Sequence, residues 1–143
     1  MASIWHQEPR LEDLKARIAD TLVEHLGIEF QEIGEDWIKA RMPVDRRTHQ
    51  PYGILHGGAS VALAETLGSV AGNLCVDGSR KRCVGLEINA NHLRAVRSGY
   101  VEGIARPLHL GASTQVWDIA IHTEAGQPVC ISRLTLAVLE AAR

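Results

Sequence analysis

A long apolar segment near the middle of the chain constrains the fold more than any other feature. Residues 59–74 are mostly Ala, Leu, Val, Gly and Ser, and Glu65 is the only charged residue between His56 and Asp77. Alanine and leucine favour helix, and a helix that is apolar on nearly every face is typically buried. The segment therefore predicts a buried helix, opened by Gly57-Gly58, that other elements must cover.

The flanking segments predict that cover. Apolar residues between Leu11 and Leu26 recur with a helical period, in one helix or two. The remaining segments indicate two strands before the buried helix and four after it. These predicted strands are 28–33, 37–43, 83–93, 99–108, 113–123 and 128–139. Because no helix separates successive strands, we expect an α+β fold with a mostly antiparallel sheet around the helix. Such a sheet leaves an edge open, so pairing with a second subunit is expected.

Length and composition indicate one domain over residues 1–143. The net charge of −2 argues against a nucleic-acid partner. Neither a membrane span nor a signal peptide is indicated, so we expect a cytoplasmic protein with no membrane partner. The three scattered cysteines fit reduced thiols, and the seven histidines show no metal-ligand spacing, so no metal site is expected.

Glu65 is the strongest candidate for chemistry. A buried carboxylate is costly unless it is paired or protonated, and no Lys or Arg lies three or four residues away on the helix. An apolar setting would shift its pKa and suit it to act as a base or a nucleophile. The alternatives are an ion pair with a distant Arg, or a helix face that meets solvent.

The start of the helix is the second candidate. Its first N–H groups have no internal partner and lie at the positive end of the helix dipole, so Gly57 N–H would stabilise an oxyanion. Gln50 and His56 can each donate a hydrogen bond to a carbonyl, and Ser69 lies one turn beyond Glu65. The alternatives are ordinary loop contacts and a tight packing position for Ser69.

Helix geometry separates these two candidates. Gly57 and Glu65 are eight residues apart, which is about 12 Å along the axis, and side-chain lean recovers about 4 Å of that. One carbonyl that contacts both groups requires a separation of only about 6 Å. We therefore expect the helix start of one subunit to face Glu65 of another, in an active site at a dimer interface.

Two motifs resemble the hotdog thioesterases of the phenylacetate-degradation type. They are HQPYGILHGGA at residues 49–59 and ALAETLGS at residues 62–69. The resemblance extends over nearly the whole chain, with MPVD at residues 42–45, NANHLR at 89–94 and PLHLG at 107–111. Leu93 and Ala95 depart from it, because this family often has a second His and a Pro there.

The resemblance implies a thioester hydrolase without metal or cofactor, on a hotdog fold paired into homodimers and then homotetramers. Glu65 matches the catalytic carboxylate, either nucleophile or general base, and Gly57 matches the oxyanion donor. Gln50 and His56 match residues that orient the thioester carbonyl and water, and Ser69 matches a hydroxyl position. The implied substrate-binding residues are Gly85, His92, Leu93, Arg94, His109, Leu110 and Gly111.

The predicted function is hydrolysis of acyl-CoA, with an aromatic acyl group implied by the resemblance and either coenzyme A or an acyl or aryl carrier protein as thiol carrier. Coenzyme A phosphates would contact residues 80–82 and Arg94. One alternative is a hotdog enoyl-CoA hydratase, since Asp45 and His49 are present, although the Asn-Pro context is absent. The other is a non-catalytic module that binds acyl-CoA or an acyl carrier protein.

Overall fold

A computed structural model describes residues 2–141, so residues 1, 142 and 143 of the predicted domain lie outside the described residues. Nine elements follow one another along the chain. They are α1 (Leu11–Arg17), α2 (Leu22–His25), β1 (Glu29–Ile33), β2 (Ile38–Pro43), α3 (Gly57–Leu74), β3 (Lys81–His92), β4 (Tyr100–Leu110), β5 (Thr114–Thr123) and β6 (Pro128–Glu140). The predicted strand bounds are correct to within two residues. The segment predicted as one helix or two forms two short helices.

The six strands form one sheet in the order β1-β2-β4-β5-β6-β3, and every neighbouring pair is antiparallel. The α+β architecture, with a sheet curved around one long helix, is therefore confirmed. No helix within residues 2–141 is long and apolar enough to cross a membrane.

The sheet covers α3 along one side. Gly68 and Gly72 allow close packing there, because a Cβ at either position would lie 2.4 Å from a leucine methyl of β6. The opposite side of α3 is only half-buried, and it carries Glu65, Thr66 and Ser69. The expectation of burial on nearly every face was therefore wrong for this side, because the single sheet covers only the other.

Strand β3 forms one edge of the sheet and runs antiparallel to α3. Near the end of α3, Asn73 Oδ1 accepts a hydrogen bond of 2.8 Å from Cys83 N. Farther along β3, Gly85 packs against Glu65, and His92 packs against Gly57 at the start of α3. A single edge strand therefore contacts both candidate groups, at positions seven residues apart.

Candidate active site

The carboxylate of Glu65 has no ionic or hydrogen-bonding partner within residues 2–141. Its Oε2 atom is shielded from solvent and accepts no hydrogen bond. Burial raises the pKa of Glu65 above its usual range, with no neighbouring charge to oppose the shift. A carboxylate in this setting is destabilised when ionised, which increases its affinity for a proton.

Gly85 determines how Glu65 lies against the sheet. It lies where a β-bulge interrupts the pairing of β3 with β6. A Cβ at this position would lie 2.5 Å from Glu65 Oε1, so a larger residue here would require the carboxylate to move. Gly85 was predicted to bind substrate, and that stays a prediction. Within one subunit its contact is with Glu65, a contact that no local sequence pattern signals.

The start of α3 presents hydrogen-bond donors. His56 precedes the helix, and its Nδ1 accepts a hydrogen bond of 2.7 Å from Gly58 N. In the neutral ring the proton is then on Nε2, which leaves that atom able to donate. Gly57 N–H has no acceptor within the described part of the chain. A Cβ at Gly57 would lie 2.9 Å from His92 Nε2, so the His92 ring packs against this glycine.

The loop before α3 is held by its own hydrogen bonds. Thr48 is 2% exposed, and its hydroxyl donates to the carbonyl of Pro43 over 2.7 Å. Its own carbonyl accepts from His56 N over 2.8 Å. In the same loop Gln50 Oε1 accepts from Tyr52 N, so its amide NH₂ group keeps both protons for another acceptor.

Asp45 and His49, the two residues that had suggested a hydratase, both make contacts that hold this loop. Asp45 pairs with Arg47 over 2.7 Å. The hydrogen bonds from Arg47 lower the pKa of Asp45 to about 2. His49 Nε2 lies 2.9 Å from the carbonyl of Arg97. Since Asp45 stays ionised and His49 is bound to the main chain, neither is placed as a free acid or base.

The remaining predicted substrate residues do not form one group within a subunit. His92 ends β3, Leu93 and Arg94 follow it, and all three are exposed. The other group comprises His109, Leu110 and Gly111, at the end of β4. Across β5 and β6, this end of β4 is in register with Gly85 and not with His92. Within a single subunit the intervening strands therefore separate the two groups, and their binding of substrate stays a prediction.

The profile described as thioesterase superfamily matches residues 52–130. The chain belongs to the thioesterase superfamily. It is 55% identical over 136 residues to 1,4-dihydroxy-2-naphthoyl-CoA hydrolase of Escherichia coli (strain K12), covering 95% of this chain and 99% of that protein. It is 56% identical over 138 residues to the proofreading thioesterase EntH of Cronobacter turicensis, covering 95% and 98%. The crystal structure of a mutant of thioesterase PA1618 from Pseudomonas aeruginosa superposes with a TM-score of 0.96 at 54% identity, covering 97% and 100%.

These similarities confirm the predicted family, the hotdog fold and the class of enzyme. This thioesterase is a thioester hydrolase, so the alternative of a non-catalytic module is set aside. The matched region includes the start of α3, Glu65, Ser69 and the edge strand β3.

A cavity of about 280 Å³ lies beside Ser69, on the side of α3 that the sheet leaves open. Its walls are mainly apolar and come from α1, the α1–α2 segment, α2, β1 and α3. The apolar lining residues are Leu14, Ile18, Val23, Phe30, Val70 and Leu74. No local sequence pattern predicts this cavity, because its lining residues lie far apart along the chain.

Proposed function

We propose that this thioesterase hydrolyses aromatic acyl-CoA thioesters at a site shared by two subunits. The observation that carries the proposal is the unpaired, partly desolvated carboxylate of Glu65, one helical turn from Ser69 and its apolar cavity. The name of the Escherichia coli relative gives a fused aromatic acyl-CoA as its substrate, which supports an aromatic acyl group here.

In this proposal the acyl carbonyl accepts hydrogen bonds from Gly57 N–H and from the free donors of Gln50 and His56. These donors stabilise the oxyanion of the tetrahedral intermediate. Glu65 then follows one of two routes. As nucleophile it forms an anhydride as the C–S bond breaks, and water later cleaves the anhydride. As general base it takes a proton from water while the water oxygen attacks, and the departing thiolate receives that proton. Ser69 orients the water.

The cavity beside Ser69 fits the acyl group. At about 280 Å³ it is close to the small end of typical ligand pockets, which suits one compact ring system better than a long chain. Apolar walls favour an aromatic ring through burial of its surface. The ring would extend from the thioester past Ser69 into the cavity, with coenzyme A directed away from it.

The exposed edge of β3 supports the shared site. This edge is 12 residues long, and Val84 and Leu86 on it are 40% and 62% exposed. A long exposed edge is a template for pairing, because its main-chain groups lack partners on one side, and a second copy of the same edge would satisfy it. If two copies of β3 pair antiparallel about Asn89, the bulge places Gly85 opposite the partner subunit's His92. Glu65 would then lie beside the partner subunit's Gly57.

The same pairing gives coenzyme A a basic contact surface. It brings the start of one β3, with Lys81 and Arg82, next to the partner subunit's Arg94 at the far end of the second strand. These side chains are not ion-paired within the described residues. Cations from both subunits would therefore contact the phosphates near each shared site, and an acyl or aryl carrier protein would present its phosphopantetheine there in the same way.

A cysteine at Asn89 tests this register. Asn89→Cys is expected to form a disulfide between subunits under mild oxidation, because opposed Cα atoms in an antiparallel pair lie about 4.5–5.5 Å apart. The matched control is Asn91→Cys, which the same register places too far from its own copy. Non-reducing gel electrophoresis measures the linked dimer. Cross-linking of Asn91→Cys in preference to Asn89→Cys would contradict the register.

A thiol-release assay tests the function. Benzoyl-CoA and 2-naphthoyl-CoA are expected to give kcat/KM values at least tenfold above that of octanoyl-CoA, because the small apolar cavity favours rings. Crotonyl-CoA incubated with the enzyme should show no loss of its double-bond absorbance. Faster hydrolysis of octanoyl-CoA would overturn the aromatic specificity, and hydration of crotonyl-CoA would revive the hydratase alternative.

A further inference from the structure

The cavity beside Ser69 runs along one face of α3. Its lining residues on this helix recur three and four positions apart, so they form a single stripe, which comprises Thr66, Ser69, Val70, Asn73 and Leu74. The stripe covers eight residue steps, or about 12 Å of helix. Thr66 directly follows Glu65, so an acyl group with its thioester at Glu65 would extend towards Leu74.

A second cavity of about 540 Å³ adjoins the first at its Leu74 end. Most of its walls are polar or charged and come from residues 6–10 and 77–82. The residues that line both cavities are Leu14, Arg17, Asn73 and Leu74. These four residues therefore form the boundary between a mainly apolar cavity and a larger polar one.

Leu14 is the one boundary residue that is buried and does not belong to α3. It is 4% exposed, whereas Arg17, one turn later in α1, is exposed. Asn73 and Leu74 are half-buried on α3 itself, and Asn73 is held by a hydrogen bond of 2.8 Å from Cys83 N. The wall that α1 adds at this end of the cavity therefore depends on the side chain of Leu14.

We propose that Leu14 closes the acyl cavity at this end and so limits the length of the acyl group that the enzyme hydrolyses; this inference rests on the proposed function. An aromatic acyl group with a short para substituent fits within about 12 Å of helix. A longer one meets a buried leucine, and a close-packed interior admits extra methylenes only by shifting side chains and backbone. The substrates are therefore compact aromatic acyl groups without a long tail.

The test compares 4-ethylbenzoyl-CoA with 4-hexylbenzoyl-CoA in the wild type and in Leu14→Ala. In the wild type, the hexyl substrate should have a kcat/KM about tenfold or more below that of the ethyl substrate, since a single methylene changes specificity in an apolar pocket by that factor. Leu14→Ala should remove most of this difference, mainly by lowering KM for the hexyl substrate. Because deletion of a buried leucine side chain costs stability, Leu14→Val is the milder second variant and should give an intermediate ratio.

Leu11→Ala is the matched control. Leu11 is a half-buried leucine of the same helix that lines neither cavity, so its replacement should leave the ratio of the two substrates unchanged. Equal hydrolysis of both substrates by the wild type, or the wild-type ratio in both Leu14 variants, would overturn the role of Leu14. The same would follow if Leu11→Ala changed the ratio as much as Leu14→Ala. A wild type inactive on both substrates would instead remove the proposed function on which this role depends.

Discussion

Glu65→Gln is expected to lower kcat by about 10³-fold or more, in the range found when a general base or nucleophile is removed. Glutamine keeps the size of the side chain but cannot attack a carbonyl or accept a proton from water. Substrate affinity should change little, because the acyl group and coenzyme A contact other residues. Thiol release under saturating aromatic acyl-CoA measures kcat, and size-exclusion chromatography checks that assembly is unchanged. Near-wild-type turnover would contradict the role of Glu65.

The same variant separates the pH dependence of Glu65 from that of every other group. Burial raises the pKa of Glu65 in the folded state above its unfolded value of 4.5. Folding then favours the protonated form, so the contribution of Glu65 to stability is fully present below pH 4.5 and is lost as pH rises through the folded pKa.

The wild type should therefore lose stability relative to Glu65→Gln across that interval, and its kcat should rise as the carboxylate ionises. Urea unfolding of both proteins at a series of pH values measures the difference in unfolding free energy. A difference that does not depend on pH would show that the carboxylate is solvated as in the unfolded chain.

Gly85→Ala is expected to lower kcat by about 100-fold, because a displacement of the order of 1 Å at a reacting group costs about that much. The added Cβ would occupy a point 2.5 Å from Glu65 Oε1, and the bulged main chain of β3 cannot retreat without breaking its pairing with β6. The carboxylate must move instead. KM should change much less than kcat, which steady-state kinetics with one aromatic acyl-CoA will resolve.

Two further proteins make this prediction specific. Gly78→Ala is the matched control, because nothing lies within 4 Å of the Cβ it would add, and it should leave kcat unchanged. In a Glu65→Ala background the carboxylate is absent, so adding Gly85→Ala should cost little further stability. An equal loss of stability from Gly85→Ala in both backgrounds would mean that the backbone, rather than Glu65, requires the glycine.

The elements of this fold are largely predictable because their signals are local. Strand alternation and the apolar helix can be recognised within windows of a few residues, and Glu65 stands out because it is the only charge in such a window. The rise of a helix per residue also separates Glu65 from Gly57, because eight residues span more than one carbonyl can bridge. Long-range packing is what these patterns leave undetermined.

The cavity beside Ser69 and the β-bulge at Gly85 both depend on long-range packing. Leu14 lines the cavity only because α1 packs against β1 beside the open side of α3, and the periodicity of α1 does not reveal its neighbours. Gly85 is one of several glycines in the sequence, and its importance appears only where β3 passes Glu65. The groups at His92 and His109 separate for the same reason, since strand order is a property of the whole sheet.

Complementation between two inactive variants tests the shared site most directly. One variant is Glu65→Gln, and the other combines Gln50→Ala with His56→Ala. In a mixed dimer, a shared site pairs the intact Glu65 of one subunit with the intact helix start of the other. Co-expression with two different tags and double affinity purification isolates the mixed protein. We predict about half the wild-type kcat per dimer, one restored site in two. Turnover no higher than that of either variant alone would place each complete site within one subunit and contradict the account.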